Sequence, residues 1–445
     1  MCYHGKRYSS CHNEGGGGRV AEAVGGKRRG WLSWPVFNWA LYDLANTIFS
    51  MAVITLFLPQ WVTDDLGLSD LAYALPLSIS MLLVGLTTPY LGARADERGD
   101  HRRPLIVLTL LSVGATAAMG LTAMSAGPLW LRAGGTLALF VAANYGFQAA
   151  QVFYNSLLPS LAEPKKRGKV SGLGVALGYL GSIIAFVVIF PVTQGAVVPG
   201  YSGRAAAFIP TALLFGLLAL PCLIGVREKV EPRPAPPGGI LRRYLGVFHD
   251  TANYPGLRRY LLAAFLFLEA VHTIIGFMAV YMQKVLGMPD EAKIPIFLVG
   301  TAASILGGFA WGFLSDRLGP RHTLIIILTG WLVPITLGVL AHQPWLFYIA
   351  AGLIGFLLAG VWTTIRPMLL TLVPREKAGE FFGLLALVGK AGAVVGPLIW
   401  GLVTSALAGI EPVNYRQALL TMGLMLGGGL LVFMGVRKQV ESDTD

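Results

Sequence analysis

Long apolar stretches separated by short polar segments dominate this chain of 445 residues. Each stretch is about 20 residues long, which is the length that an α-helix needs to cross the hydrocarbon core of a bilayer. The pattern therefore predicts an all-α polytopic membrane protein with twelve transmembrane helices. We predict that they run over 37–62, 71–91, 104–124, 133–158, 170–190, 205–226, 260–282, 294–314, 323–340, 344–370, 381–403 and 418–436.

The composition supports a membrane protein. Hydrophobic residues make up 55% of the chain and charged residues 13%, against about 25% charged in a typical globular protein. Three cysteines cannot form a disulfide framework. Beyond a Cys-x-His pair at Cys2 and His4, no ligand spacing points to a metal or cofactor site. Catalytic motifs are absent, and the nearest approach to a phosphate-binding loop, at 383–391, has the wrong spacing. We therefore expect no enzyme activity, no cofactor and no metal.

The distribution of Lys and Arg predicts the topology. Of the 34 basic residues, 27 fall in the two tails and in the gaps after the even-numbered spans, five fall in the other gaps, and two fall within spans. Because cytoplasmic loops carry the excess of basic residues, both termini should be cytoplasmic. The net charge of +11 is thus mainly a topology signal, and we expect no nucleic-acid partner.

A Pro-rich, charged linker at the midpoint divides the chain. We predict a disordered cytoplasmic tail over 1–36, a six-helix bundle over 37–226, a cytoplasmic linker over 227–257, a second bundle over 258–437 and a tail over 438–445. The halves also resemble each other: 157–172 aligns with 368–383 at an offset of 211, and 43–48 aligns with 269–274 at an offset of 226. Parallel six-helix repeats are typical of transporters whose substrate site lies between the halves.

The gaps after spans 2 and 8 share a motif. Its glycines permit close helix packing, its aspartate can face a helix N-terminus, and its basic residues can tie the loop to nearby helix ends. The motif resembles the signature loop of the major facilitator superfamily, which in that family latches the cytoplasmic side shut. The alternative is a pair of ordinary basic cytoplasmic loops. The predicted gating residues are Gly92, Asp96, Arg98 and Gly99 in the first copy, and Gly312, Asp316, Arg317 and Gly319 in the second.

The first copy departs from the family's loop. Glu97 stands where the family usually has arginine, and the basic residues come slightly late. This departure affects which basic residues contact the neighbouring helices, and it leaves the identity of the loop unchanged.

A narrower resemblance rests on segments 39–46, 153–159, 168–179 and 380–384. They are similar to the branch of the superfamily that includes fungal vacuolar amino-acid effluxers of autophagy and their bacterial relatives. The resemblance implies transport of amino acids or similar small solutes. It also implies that spans 1, 4, 7 and 10 line a central cavity, and that the two halves rock about it.

Charged residues inside the predicted spans indicate where the mechanism lies. Each costs about 2.5–3.5 kcal/mol at the centre of a bilayer, so each needs a partner or a wet cavity. Glu269 and His272 share a helix face and could form a proton-coupling site. The alternative is a fixed salt bridge from Glu269 to Lys390, with His272 bonded to a hydroxyl group.

Two roles are open for Asp43, and two for Arg366. Asp43 could bind a substrate amine or a proton, or it could cap an interrupted helix start. Arg366 could bind a substrate carboxylate, or it could form a gating salt bridge with Asp43.

Span 4 carries a polar stripe. The stripe consists of Asn144, Gln148, Gln151 and Asn155. At 100° per residue, these four amide side chains project within about 60° of one another, so they should face a cavity. The candidate residues for binding substrate or a proton are Asp43, Asn46, Asn144, Gln148, Gln151, Asn155, Glu269, His272, Arg366 and Lys390.

These features predict a monomeric secondary transporter in a bacterial plasma membrane. We expect proton-coupled efflux of an amino acid or similar small polar solute, with the bilayer and a coupling proton as its other partners. A lipid or hydrophobic-drug exporter is the second hypothesis, and it would need an apolar cavity. A scaffold or receptor that transports nothing is the third, and it would tolerate loss of the buried charges.

Overall fold

The computed structural model describes residues 32–197, 202–226, 228, 232, 240–288, 290–340, 343–407, 409–410 and 412–436. Nearly all of the predicted N-terminal tail, the whole predicted C-terminal tail and the Pro-rich part of the linker lie outside the described residues. The regular structure within these ranges is helical.

Twelve long helices follow one another in the described residues, as the apolar pattern predicts. Each predicted span overlaps one of them almost completely, and most helices continue further at their polar ends. We number them α1 Trp34–Asp65, α2 Asp70–Arg98, α3 Arg102–Ala123, α4 Leu129–Ser156, α5 Pro164–Thr193, α6 Arg204–Gly225, α7 Leu257–Leu286, α8 Asp290–Leu318, α9 Pro320–Leu340, α10 Trp345–Leu369, α11 Ala378–Ala406 and α12 Val413–Met434.

Eleven of these helices in the described part of the chain are long and apolar enough to cross a membrane. The remaining helix is α4, which is less apolar because it carries the polar stripe. A spanning helix can carry this stripe where neighbouring helices shield it from lipid. The prediction of a twelve-helix membrane protein is confirmed.

Wide π-helical turns interrupt α1 over Ser50–Phe57 and α5 over Ala185–Ile189. In each case a proline follows closely, Pro59 in α1 and Pro191 in α5. Proline has no N–H group to donate and its ring crowds the carbonyl four residues earlier, so a wider turn relieves the crowding. The apolar pattern does not reveal these turns.

A further helix, Ile240–Asp250, lies in the predicted linker. It packs against α2 and α11, and its Val247 is buried. Asp250 at its end forms an ion pair with Lys377, just before α11. We call this element the linker helix. It connects the linker to the same two helices that join the halves.

The two halves, α1–α6 and α7–α12, meet mainly through α2 with α11 and α5 with α8. A Cβ atom on Gly92 of α2 would overlap the carbonyl oxygen of Gly379 in α11. At the other interface, a Cβ atom on Gly172 of α5 would overlap the carbonyl oxygen of Gly308 in α8. Both contacts lie towards the end of the bundle where α1 begins and α12 ends, which we call the termini side. Glycine permits these close approaches because any side chain would keep the backbones apart. We call the two contacts the α2–α11 closure and the α5–α8 closure.

Replacing Gly92 with alanine is expected to open the α2–α11 contact. The new methyl group cannot fit against the Gly379 carbonyl, and overpacking of this kind typically costs about 1–3 kcal/mol. Spin-label distances between the termini-side ends of α2 and α11 should lengthen. Gly114→Ala in α3 is the control, because a Cβ atom there meets nothing within 4 Å. Unchanged distances in Gly92→Ala would contradict this account of the closure.

Candidate functional site

A cavity of about 460 Å³ lies between the two halves. Sites for small molecules typically have volumes of about 300–1,000 Å³. Helices α1, α4, α7 and α10 line it as the family resemblance implies, and α5 and α11 line it as well. Eight of the ten candidate residues are among its lining: Asp43, Asn46, Gln148, Gln151, Asn155, His272, Arg366 and Lys390.

The two walls of the cavity differ in polarity. The first half supplies most of the uncharged polar groups, including Asn46, Ser50 and Gln151. The second half supplies a broad apolar surface together with two cations. The apolar lining residues of the second half are Leu268, Trp362, Ile365, Phe382, Leu385 and Ala386. A solute with both polar and apolar parts would match these walls.

Asp43 of α1 and Arg366 of α10 join the halves across the cavity. Arg366 donates to both carboxylate oxygens, through Nη1 at 3.0 Å and Nη2 at 3.4 Å. The guanidinium carbon also lies 5.7 Å from the ring of Trp39 and 5.5 Å from that of Tyr154. Those two rings stack on each other, with their centroids 4.3 Å apart. Arg366 is therefore held by a carboxylate and by two aromatic faces.

Removing one charge of this pair is expected to destabilise the protein strongly. Both side chains are about nine-tenths buried, and breaking a buried pair from one side typically costs about 3–5 kcal/mol because the other charge stays buried. Asp43→Asn and Arg366→Gln should each lower the melting temperature clearly. The double variant should cost less than the sum of the two, because it leaves no isolated charge. Additive losses in a thermal-unfolding cycle would contradict the pairing, and Glu163→Gln, in an exposed ion pair with Lys166, is the control.

Lys390 of α11 reaches across to the first half. Its Nζ donates to Gln148 Oε1 at 2.7 Å, and among the described ion pairs none joins it to a carboxylate. An ammonium group has three donors, so the contact with Gln148 leaves donors for a solute. Arg366 differs from Lys390 because its carboxylate partner is already in place.

Glu269 of α7 lies beside the cavity and does not line it. The side chain is fully buried, and Oε2 accepts the backbone N–H of Gly396 in α11. Oε1 has no hydrogen-bond partner in the described structure. Gly396 is the residue before Pro397, so Glu269 holds α11 where its own hydrogen-bonding pattern is interrupted.

His272 lies one turn from Glu269 and faces the cavity. Its ring packs on Trp362 with the centroids 5.5 Å apart, and Nδ1 has no partner in the described structure. These contacts differ from the predicted alternative, in which Glu269 forms a fixed salt bridge with Lys390 and His272 bonds to a hydroxyl group. Lys390 is bonded to Gln148 and Glu269 to a backbone N–H.

Asn144 departs from the prediction for the α4 stripe. It is fully buried and donates to Ser80 of α2 at 2.6 Å. Helix periodicity correctly gives it the direction of Gln148 and Gln151, but at its level α2 lies against α4. The direction of a side chain and the identity of the neighbouring helix are separate facts, and only the first can be calculated from spacing.

Sequence reasoning missed the aromatic residues around the charges. Trp362 precedes Arg366 by one helical turn, so spacing alone could have placed it on the cavity face. Trp39 and Tyr154 meet across the fold, where the Trp39 indole donates to the carbonyl of Tyr154, 115 positions away, at 2.9 Å. No local signal indicates that contact.

The two motif loops make the same contact at the two interfaces. Asp96 accepts the backbone N–H groups of Gly379 and Glu380 at the start of α11, at 2.9 and 2.6 Å. Asp316 accepts those of Gly168 and Lys169, at 2.7 and 3.0 Å, where the α-helical part of α5 begins at Arg167 after a short 3-10 turn. A carboxylate is stabilised at a helix N-terminus by unpaired N–H groups and by the helix dipole.

Basic residues of both loops bind the ends of neighbouring helices. Arg102 donates to the carbonyl of Leu223 at 2.7 Å, near the end of α6. Arg321 donates to the carbonyls of Met434 and Val436, at 2.7 and 2.9 Å, at the end of α12. The late position of the basic residues in the first loop therefore does not prevent the contact.

The other gating residues shape the loops. Gly99 and Gly319 adopt positive φ angles of 61° and 81°, so each allows the sharp turn after its helix. Gly312 packs against Gly168 of α5. Arg317 lies over the ring of Phe313 at 4.1 Å, and Arg98 is exposed at the end of α2.

The sequence model of the family described as "Vacuole effluxer Atg22 like" matches residues 72–442. The chain belongs to this family. Atg22-like proteins form a branch of the major facilitator superfamily, so the chain is a multi-pass membrane protein and a secondary transporter.

Relatives occur in bacteria and fungi. The uncharacterized MFS-type transporter YxiO of Bacillus subtilis is 25% identical over 91% of this chain and 95% of its own length. Autophagy-related protein 22-2 of Aspergillus clavatus is 27% identical over 56% of this chain and 45% of its own length. The bacterial alignment thus covers both halves almost completely.

Solved structures share the fold at low identity. The fucose:proton symporter FucP of E. coli has a TM-score of 0.72 and 16% identity, over 91% of this chain and 98% of that chain. A bacterial homologue of the iron transporter ferroportin in its outward-facing state has a TM-score of 0.70 and 16% identity, over 90% of this chain and 98% of that chain. These similarities show the fold.

Proposed function

We propose that this Atg22-like transporter exports an amino acid or a similar small solute that carries a carboxylate, in exchange for protons. The proposed location is a bacterial plasma membrane, with both termini in the cytoplasm. One chain encloses the cavity, so we take the monomer as the working unit.

Lys390 carries this proposal. It is a cation in the cavity lining, and its described hydrogen bond goes to the neutral amide of Gln148. Residues of both halves line the cavity around it. A cation in such surroundings favours an anionic group on the solute. The amide and hydroxyl groups of the first half can bind an ammonium group, and the apolar wall of the second half can accommodate a hydrocarbon side chain.

Glu269 supports the coupling to protons. It is a buried carboxyl group with one oxygen bonded to the backbone of α11 and the other without a described partner. Such a group can take up and release a proton as access to solvent alternates. Because the same group holds α11, its charge state can act on the helix that also carries Lys390.

Flux measurements on proteoliposomes test the proposal. Purified protein is reconstituted with a pH difference across the membrane, and each of the twenty radiolabelled amino acids is tested, with glucose and choline as controls. We expect one or more amino acids to move against their gradient and neither control to move. Transport of choline or a lipid dye in preference to every amino acid would overturn the proposal. It would favour the lipid or drug exporter instead.

A further inference from the structure

Within the described residues, the α2–α11 closure includes His101 and Glu228, which have no counterpart at the α5–α8 closure. Asp96 and Asp316 each contact a helix N-terminus, but the two loops differ just beyond their glycines. The first loop continues from Gly99 through Asp-His to its arginine, whereas the second continues from Gly319 through a single proline. The extra position in the first loop brings His101 next to Asp96.

His101 lies between two carboxylates. Its Nε2 is 2.7 Å from Asp96 Oδ1, and its Nδ1 is 2.5 Å from Glu228 Oε1. Its backbone N–H also donates to Glu228 Oε2 at 2.7 Å. Ionised carboxylates only accept hydrogen bonds, so two ionised partners require a proton on each ring nitrogen, and this geometry favours the imidazolium form of His101. The residue is fully buried.

This contact joins segments that are far apart in the sequence. Asp96 is near the end of α2, His101 is in the loop to α3, and Glu228 lies just after α6. Asp96 simultaneously accepts the N–H groups of Gly379 and Glu380 in the other half. The contact of Asp96 with α11 is therefore linked to His101 and, through His101, to Glu228.

We propose that Glu228 and a protonated His101 are positioning residues that hold Asp96 on the N-terminus of α11. Loss of the His101 proton then releases the α2–α11 closure and leaves the α5–α8 closure in place. This inference concerns conformation, and it stands independently of the proposed substrate.

Other charged groups lie around the cluster. On α11, Glu380 adds a carboxylate, and Lys377 lies 3.8 Å from it and also pairs with Asp250 of the linker helix. Arg102 of α3 is directed to the end of α6. We call the arrangement of Asp96, His101 and Glu228 the bridge. Without the His101 proton, the two carboxylates would face a neutral ring, and one of its two ring hydrogen bonds would have no donor.

The sign of the pH effect follows from the surroundings of His101. Burial alone would lower its pKa, but the hydrogen bonds and charges of Asp96 and Glu228 outweigh it and raise the pKa from 6.5 to about 9. A group whose pKa is raised by folding contributes its stability at lower pH and loses it as the pH rises. The bridge should therefore hold at neutral pH and break as the pH passes through about 9.

Spin-label distances across the two closures test this inference. The full-length protein, with its three cysteines replaced by alanine, is labelled at two pairs of exposed positions and measured between pH 7 and pH 10 without substrate. Arg94→Cys in α2 with Arg375→Cys, in the turn just before α11, reports on α2–α11. Lys165→Cys in α5 with His322→Cys, in the first turn of α9 directly after α8, reports on α5–α8. We expect the first distance to lengthen near pH 9 and the second to stay constant.

Variants distinguish loss of the His101 contacts from general unfolding at alkaline pH. Glu228→Gln should move the transition to lower pH by about one unit, since removing an opposite charge typically shifts a pKa by about 1–3 units. His101→Gln should open α2–α11 at every pH, and His101→Lys should restore a closure that survives above pH 9. Glu163→Gln, at an exposed site on the same side, should match the parent. Equal opening of both closures, or a Glu228→Gln transition identical to the parent, would overturn the proposal.

Discussion

Replacing Lys390 with methionine is expected to lower the affinity for a carboxylate-bearing substrate by about 10- to 100-fold. A hydrogen bond to a charged group is worth about 1.5–3 kcal/mol, and each 1.4 kcal/mol is a factor of ten in affinity. Methionine keeps the length of the side chain and removes the charge. The measurement is binding of the transported amino acid to purified protein by calorimetry, followed by flux in proteoliposomes.

Three variants make the Lys390 result specific. Lys390→Arg keeps the cation and should retain most of the affinity, while Lys165→Met removes an exposed lysine outside the cavity and should change nothing. Gln148→Leu removes the acceptor that orients the ammonium group and should have an intermediate effect. If Lys390→Met binds the substrate as tightly as the parent does, Lys390 is not the carboxylate site.

The second large effect is expected from Glu269→Gln, which should abolish the response to a pH gradient. A difference of one pH unit is worth about 1.4 kcal/mol, so one coupled proton supports about tenfold accumulation of substrate. Glutamine cannot carry the proton, but it can still accept the N–H of Gly396. Accumulation should therefore disappear, while exchange of labelled for unlabelled substrate at equal pH continues.

Comparing exchange with accumulation separates coupling from folding. A variant that has lost its structure loses both, whereas a variant that has lost only the proton site keeps exchange. Glu163→Gln should retain both activities. Full gradient-driven accumulation in Glu269→Gln would show that the proton is carried elsewhere, and His272→Gln would then be the next variant to test.

Much of the fold could be predicted from the sequence. A bilayer requires about 20 apolar residues per spanning helix, so the positions of the helices follow from hydropathy within a few residues at most ends. The cavity residues could be predicted in part, because a charge or an amide within an apolar helix needs a polar environment wherever the helix packs. Eight of the ten candidates line the cavity for this reason.

The partners of those residues could not be predicted in the same way. Both a salt bridge with Asp43 and a role in substrate binding were compatible with the position of Arg366, and the structure shows the ion pair. Lys390 and Glu269 have similar depths in their helices, yet one bonds to Gln148 and the other to Gly396. Partner choice depends on the rotation and separation of helices, which a one-dimensional pattern does not contain.

The loops show the same division. The repeated motif indicated that Asp96 and Asp316 should face helix N-termini, because that chemistry follows from the residue types. Nothing in the motif indicated Glu228, which lies 127 positions from His101 and outside either copy. The contact between His101 and Glu228 therefore emerged only from the packing.

The sequence by itself determined that this protein lies in a membrane, crosses it with twelve helices in two related halves, and carries a small set of buried charges. Those properties depend on the free energy of transferring each segment into lipid, which is a local sum over residues. Only the tertiary structure decided which charges are paired, that Lys390 bonds to a neutral amide, and which carboxylates flank His101. Those outcomes depend on contacts within a few ångströms between helices that are distant in the chain.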